Sequence, residues 1–409
     1  MNNNTTYKDS PLGKIPSDWE VKKLGNFIHT IIGGGTPSRD QAKYWNGNIY
    51  WATVKDFTNF NPHETQERIT EDGLKNSSSN LIPQGTIITP TRMALGKAVK
   101  FKVDVAINQD LKAIFPKKEL DSDFLLFWFE KNKTKIEGLG NGSTVKGITL
   151  EDLKGIPFCR IPLPEQIRIA EVLSAWDKAI SNLQATIEQV ELRNKWLMQQ
   201  LLTGKRRLKG FGDDKWKIKS LKEILIPVRK SLIPQKDELY QQIGIRSHTK
   251  GIFYKDKVSG ATLGDKRVFW IEPNCFIVNI VFAWEHAIAK TTVNEIGMIA
   301  SHRFPMFKPK DNLLDIDYLL YYFQSPRGKS LLGLASPGGA GRNKTLGQSE
   351  FINLQIPVPP LNEQTAIAQV LQAADKEVQI LRSKLDKLKE QKKGLMQVLL
   401  TGKKRLKVD

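Results

Sequence analysis

An internal duplication constrains this chain more than any other feature. Residues 165–209 align with residues 363–407 at a constant offset of 198, without a gap and with 22 of 45 positions identical. Fixed-period self-similarity of this kind marks a repeated structural unit. The identities gather at the two ends: Glu165, Gln166, Ile169, Ala170, Val172, Leu173, Asp177 and Lys178 at the entry, and LMxxLLTGKxRLK (197–209 and 395–407) at the exit. Prolines lead into each copy, through IPLPEQ (161–166) and IPVPPLNEQ (356–364), where a first helical turn tolerates a missing N–H. Each copy ends on TG, with Gly204 and Gly402 as natural helix stops. A weaker echo runs ahead of each helix: Trp19 and Leu24 match Trp216 and Leu221, and DFLLFWF (123–129) matches DYLLYYF (317–323). The chain therefore reads as globular domain 1–160, helical region 161–209, globular domain 210–355 and helical region 356–409.

The repeated helices carry a heptad seam. Leu173, Trp176, Ile180, Leu183, Ile187, Val190, Asn194, Leu197 and Leu201 alternate spacings of 3 and 4, as do Leu371, Ala374, Val378, Leu381, Leu385, Leu388, Lys392, Leu395 and Leu399. One polar residue interrupts each seam at the same place, Asn194 and Lys392. Such a residue either sets register or marks fraying towards the helix end, and the spacing does not choose. Two similar helices, each following a similar domain, favour antiparallel pairing about a pseudo-two-fold axis, with the domains at opposite ends of a rod. A helix from Glu165 to Leu202 spans about 57 Å at ~1.5 Å per residue, or about 17 base pairs at ~3.4 Å each.

The globular parts show short strands, YWATV (50–54), TIITP (86–90), AVKFKV (98–103) and CFIVNIVFAW (275–284), between Gly, Pro and Asn turns, with one helix around DFLLFWF. That pattern predicts α+β domains rather than a wound parallel sheet. Apolar residues at 40%, with 18 Phe and 9 Trp, suffice for real cores and exclude disorder for most of the chain. Sixty-two Lys and Arg against 43 Asp and Glu leave a net charge of +19, which points to nucleic acid. No apolar run nears the ~18 residues of a membrane span, and MNNNTTYKDS carries no targeting pattern. Only Cys159 and Cys275 occur, too few for a disulfide framework. A soluble protein of the reducing cytoplasm is the expectation.

No catalytic constellation emerges. GGGTPSR (33–39) lacks GxGxxG spacing after a strand, and no Asn-Pro-Pro-Tyr or Asp-Pro-Pro-Tyr run is present to hold a flipped base. RGKS (327–330) lacks the leading glycine of a phosphate loop. Glu390 with Lys392 imitates a nuclease metal site, but both fall on the coiled coil and read as a solvated face. His29, His63, His248, His286 and His302 form no HExxH pair. A noncatalytic chain without its own cofactor or metal is expected.

Phosphate contacts need cations or N–H groups on loops, and base readout needs donors that reach groove edges in pairs. The candidates are Thr36, Ser38, Arg39, Arg92, Lys97 and Lys146 in the first domain. In the second they are Arg246, His248, Lys250, Arg303, Arg342, Asn343 and Lys344, the last three in the glycine-rich GGAGRNK. Taken singly, each reads first as an ordinary solvated side chain, and the GRNK cluster points to DNA more than its members do. Gly33 to Gly35 read either as a tight turn with positive φ or as a ligand contact. The exits KRRLK and KKRLK either grip phosphates or complement a helix dipole.

The duplicated PxxEQxxIAxVL entry and LLTGKxRL exit, with WExxKLGxF (19–27), GGGTPSR and the Tyr44–Trp45 pair, resemble the specificity subunits of type I restriction-modification systems, over essentially the whole chain. The resemblance implies two target-recognition domains, each reading one half of an interrupted DNA site. It further implies helices that dock two modification (methyltransferase) subunits. Those would hold S-adenosylmethionine and methylate adenine, and restriction subunits would cleave. The second domain lacks GGGTPS after Trp216 and runs instead through IPVRKSLIPQKDELYQQIGIRSHTKG (226–251), so its base-reading loops do not transfer from the first. A regulator that binds DNA without enzyme partners is the alternative.

Overall fold

The computed structural model describes residues 6–140, 146–212, 215–310, 312–338 and 344–407. It divides into two compact units: residues 1–184 with 384–409, and residues 185–383.

In the first unit, Ile28–Gly33, Leu111–Pro116, Ile87–Pro90 and Val99–Lys100 form an antiparallel sheet in that order. A second sheet orders Glu67–Ile69, Trp45–Ala52, Val105–Ile107 and Asn80–Ile82, with Val105–Ile107 parallel to Trp45–Ala52. Glu20–Lys23 pairs with Pro157–Arg160, beside the helix Ser122–Gly138, whose Phe124, Leu125, Phe127, Trp128 and Phe129 are buried. Asp121 caps that helix, accepting from Phe124 N at 2.7 Å.

Apart from the first unit's short pair of Tyr7–Lys8 with Ile15–Pro16, the second unit repeats this plan. Leu225–Val228, Met306–Pro309, Phe276–Val278 and Ile288–Lys290 form the antiparallel sheet. Ile252–Ser259, Leu239–Ile245, Ile299–Ser301 and Val268–Trp270 form the mixed one, again with its parallel pair at the centre. One extra edge strand, Ser231–Leu232, joins Val268–Trp270. Lys217–Ser220 pairs with Gln355–Val358, and Asp315 caps the helix Ile316–Gln324. The α+β expectation holds, but CFIVNIVFAW is not one strand: pairing stops at Val278, and residues 279–287 form a hairpin loop. Likewise Trp45–Ala52 ends within YWATV, and Val54 starts a 3₁₀ turn.

The long helices are Leu163–Leu202 and Leu361–Leu399. Gly204 and Gly402 follow them with φ of 68° and 71°, the left-handed stop that glycine adopts without strain. Every seam residue is buried or half-buried. Within each unit the helix segments run antiparallel. Ile169, Ala170 and Leu173 share a core with Met396, Leu399 and Leu400 in the first unit. In the second, Arg193 pairs with Glu377 and Arg382 with Glu191.

The polar seam residues are built in, not frayed. Lys392 is 7% exposed, and its ammonium lies 2.9 Å from Glu130 and 2.8 Å from Asp177. Asn194 donates to the carbonyl of Ala374 at 2.9 Å. The solvated-face reading is thus wrong for Lys392, which packs inward where Glu390 is exposed.

Candidate nucleic-acid interface

The repeated motif residues form the joint between each globular domain and its helices. Glu165, 2% exposed, accepts from Arg405 Nη2 at 2.7 Å and Trp19 Nε1 at 3.4 Å. Glu363, fully buried, accepts from Arg207 Nη2 at 2.8 Å and Trp216 Nε1 at 3.1 Å. Asp18 also pairs with Arg405, which holds the Asp18 carboxyl below its usual range. The adjoining glutamines complete the joint. Gln166 accepts from Asp121 N and donates to Ile161 and Glu119 carbonyls, and Gln364 does the same with Asp315, Pro359 and Leu313. Buried polar groups satisfied this completely fix one geometry. The final arginine of each basic exit is thus paired with a buried carboxylate, Arg207 with Glu363 and Arg405 with Glu165.

Gly33 to Gly35 make no positive-φ turn. A Cβ on Gly34 would lie 1.8 Å from the Ile107 carbonyl and one on Gly35 2.7 Å from Ser78, so these glycines permit close backbone packing. Gly35 N donates to that same carbonyl at 3.1 Å. The segment RGKS lies within the helix Pro326–Leu334, which Ser325 caps. Among the described residues no His, Cys, Asp and Glu cluster suits a metal, and no helix is long and apolar enough to cross a membrane. Burial pushes the Cys159 and Cys275 thiols up to about 11.

In the first unit Thr36, Arg39, Lys55, Met93, Asn108 and Gln109 border an open concavity of about 500 Å³. Thr36 donates to Gln109 at 2.6 Å, and Ser38 is exposed with its carbonyl accepting from Trp45 Nε1 at 3.0 Å. Arg39 lies 3.7 Å above the Trp45 ring and forms a two-point ion pair with Glu67, whose carboxyl it holds below its usual range. Beside the concavity rises the turn 91–98 between Ile87–Pro90 and Val99–Lys100. Its root is held by Thr91 N on the Asp110 carbonyl at 2.8 Å and Ile148 N on the Thr91 carbonyl at 3.0 Å. Met93 N donates to the Lys146 carbonyl at 3.1 Å. Leu95 is buried beneath, while Arg92, Met93 and Lys146 are exposed. Lys97 is half-buried, and its ammonium donates to the Phe57 carbonyl at 2.9 Å.

The second unit builds the same tip from different residues. The loop 279–287 joins the equivalent strands, and Leu346 N donates to the Ile280 carbonyl at 2.8 Å, as Ile148 does to Thr91. Lys344 lies 6.0 Å from the Trp284 ring. His248 N donates to the Glu285 carbonyl at 2.7 Å and Thr249 N to that of His286 at 3.0 Å, docking the turn that carries Lys250. The Arg303 carbonyl accepts from Ile280 N at 3.0 Å. His286 is held below the usual histidine range by burial, with the Lys329 and His248 charges adding to it. Arg246 stacks 4.8 Å over Phe253. Arg342 and Asn343 lie outside the described residues. His248, Lys250, Arg303 and Lys344 thus gather around one hairpin whose apolar sequence predicts a strand. Met93 and Phe282 were not among the candidates; the only sequence trace of their equivalence is the shared Ala94 and Ala283 that follow them.

Residues 16–192 and 213–390 match the family model described as Type I restriction modification DNA specificity domain. The chain is 38% identical over 197 residues to the type I restriction enzyme MjaIX specificity subunit of Methanocaldococcus jannaschii, covering 46% of this chain and 44% of that protein. It is 30% identical over 200 residues to the EcoR124I/EcoR124II specificity subunit of Escherichia coli, covering 46% and 48%. The match therefore spans about half the length of these two relatives. The fold resembles the crystal structure of a type I restriction-modification S subunit from M. genitalium, with a TM-score of 0.57 at 14% identity over 98% of this chain and 97% of that one.

Proposed function

Because the chain belongs to the type I restriction modification DNA specificity family, we propose that it is the noncatalytic reader of a bipartite DNA site, one domain per half-site. The helical regions serve as the platform for two modification subunits and, where the system has them, restriction subunits. The methyl donor S-adenosylmethionine belongs to the modification subunit, and the complex works in the cytoplasm. The observation that carries this reading is the repeated hairpin tip: two domains of different sequence and one topology each gather cations around a turn held at its root, Arg92 and Lys146 in the first and His248, Lys250, Arg303 and Lys344 in the second. Topology held constant while surface residues change suits two readers of different half-sites, since phosphate contacts position and side-chain donors specify.

Methylation mapping with the chain assembled with its modification subunit tests the reading. The expected result is an interrupted consensus, with only one half changed when residues 210–355 are exchanged for another such domain. Methyl transfer by the isolated chain, or changes in both halves on exchange, would refute it.

A further inference from the structure

Each hairpin tip offers an apolar side chain where the surroundings are cationic. Met93 is 68% exposed, the highest value for a large apolar side chain in the first unit among the described residues. Its backbone sits at φ +68°, a region few non-glycine residues occupy, and such outliers gather at ligand contacts. The conformation is imposed by neighbours, with Met93 N tied to Lys146 and Ala94 N to Arg92. The equivalent place in the second unit holds Phe282, the only exposed phenylalanine among the described residues, at 37%. Its carbonyl accepts from both Glu285 and Ala287 N–H groups, and Ala283 behind it is fully buried. Both tips are therefore stiff, and each carries a large apolar group on a turn approached by a lysine from the crossing segment: the Lys146 carbonyl accepts from Met93 N, and the Lys344 ammonium lies 6.0 Å from the Trp284 ring.

An apolar side chain gains nothing from a phosphate. Its favourable surface on a duplex is a base: the thymine C5-methyl in the major groove, or a base face exposed at an opened step. We propose that Met93 and Phe282 are specificity-determining residues, each making the apolar contact with bases of its own half-site while the neighbouring cations hold the phosphates. This rests on the bipartite-reader reading above and adds to it which side chain touches the bases.

The test uses the full chain assembled with its modification subunit and a library of randomised duplexes, with methylated sequences read out. If the wild-type complex returns no bipartite consensus, the reader function itself fails. Given a consensus, Met93→Ala should relax the preference at one or more positions of one half-site by roughly 5- to 100-fold, and Phe282→Ala should do so in the other half only. The salt dependence of binding should not change, because no phosphate contact is lost. Leu81→Ala and Val293→Ala, exposed apolar residues away from the tips, should leave the consensus intact. Uracil in place of thymine within the half-site separates the two modes, since it abolishes a methyl contact and leaves a base-face contact in place. A variant that alters neither half-site, alters both, or weakens all sequences equally overturns the proposal.

Discussion

The joints and the tips of this molecule diverge in opposite senses. At the joints, both units use the same glutamate, tryptophan and arginine in nearly the same geometry. At the tips the strand connection and its root hydrogen bonds are shared, and hardly a side chain is. A buried ion pair tolerates little change, because losing one partner strands a charge away from water. A hairpin tip needs only its root hydrogen bonds, so its exposed positions are free to vary. Sequence repetition here reports buried polar chemistry, and repetition of topology reports shared architecture.

Breaking the joints tests that equivalence most severely. Glu165→Ala and Glu363→Ala should each cost about 3–5 kcal/mol in their own unit, read by denaturant unfolding with hydrogen exchange to locate the loss. If only one were damaging, the joints would not be equivalent.

A smaller effect is expected where the units differ on the seam. Lys392→Ala removes a buried cation and its aliphatic stem and should cost about 2 kcal/mol. Its partners Glu130 and Asp177 are 51% and 48% exposed and can turn to water, which keeps the loss below that of a joint. Asn194→Ala removes one bond to a helix carbonyl and should cost about 1 kcal/mol. Equal losses in thermal unfolding would show that the Lys392 charge contributes nothing.

The smallest effect concerns a cap. Thr149 closes a capping box on the helix Leu150–Gly155, whereas its equivalent, Gly347, starts Gln348–Ile352 with no side-chain cap. Gly347→Ser would place serine three residues ahead of Glu350, completing the box, and should stabilise the second unit by a few tenths of a kcal/mol. A Cβ there meets only the movable end of Glu350. No gain in the unfolding midpoint would mean that the two caps are not interchangeable.

The seam was legible because burial along a helix imposes a period that leaves its trace in Leu, Ile and Val. The antiparallel direction followed from the duplication. The joint was half legible: Glu165 and Arg405 stood out as repeated, but residues 240 positions apart show no sign in sequence of touching. The tips were not legible. Ile280 and Ala283 turn inward from a loop, so CFIVNIVFAW reads as an unbroken apolar strand. The one-to-one correspondence of strands was hidden because strands of three or four residues carry too little pattern to align. The burial of Lys392 is not legible because a lysine on a helix is ordinarily solvated, and only the nearness of Glu130 and Asp177 from two other elements makes its burial tolerable.

One consequence lies in the order of synthesis. The second unit is a single run of chain, while the first closes only with residues 384–409, which contribute Met396, Leu399, Leu400 and Arg405 to its core and joint. A ribosome making about 5–20 residues per second needs on the order of 10–40 s to traverse the intervening ~200 residues. For that interval the amino-terminal domain waits with an open flank while the later domain is completed. A premature stop near residue 390 would then strike hardest at the domain made first.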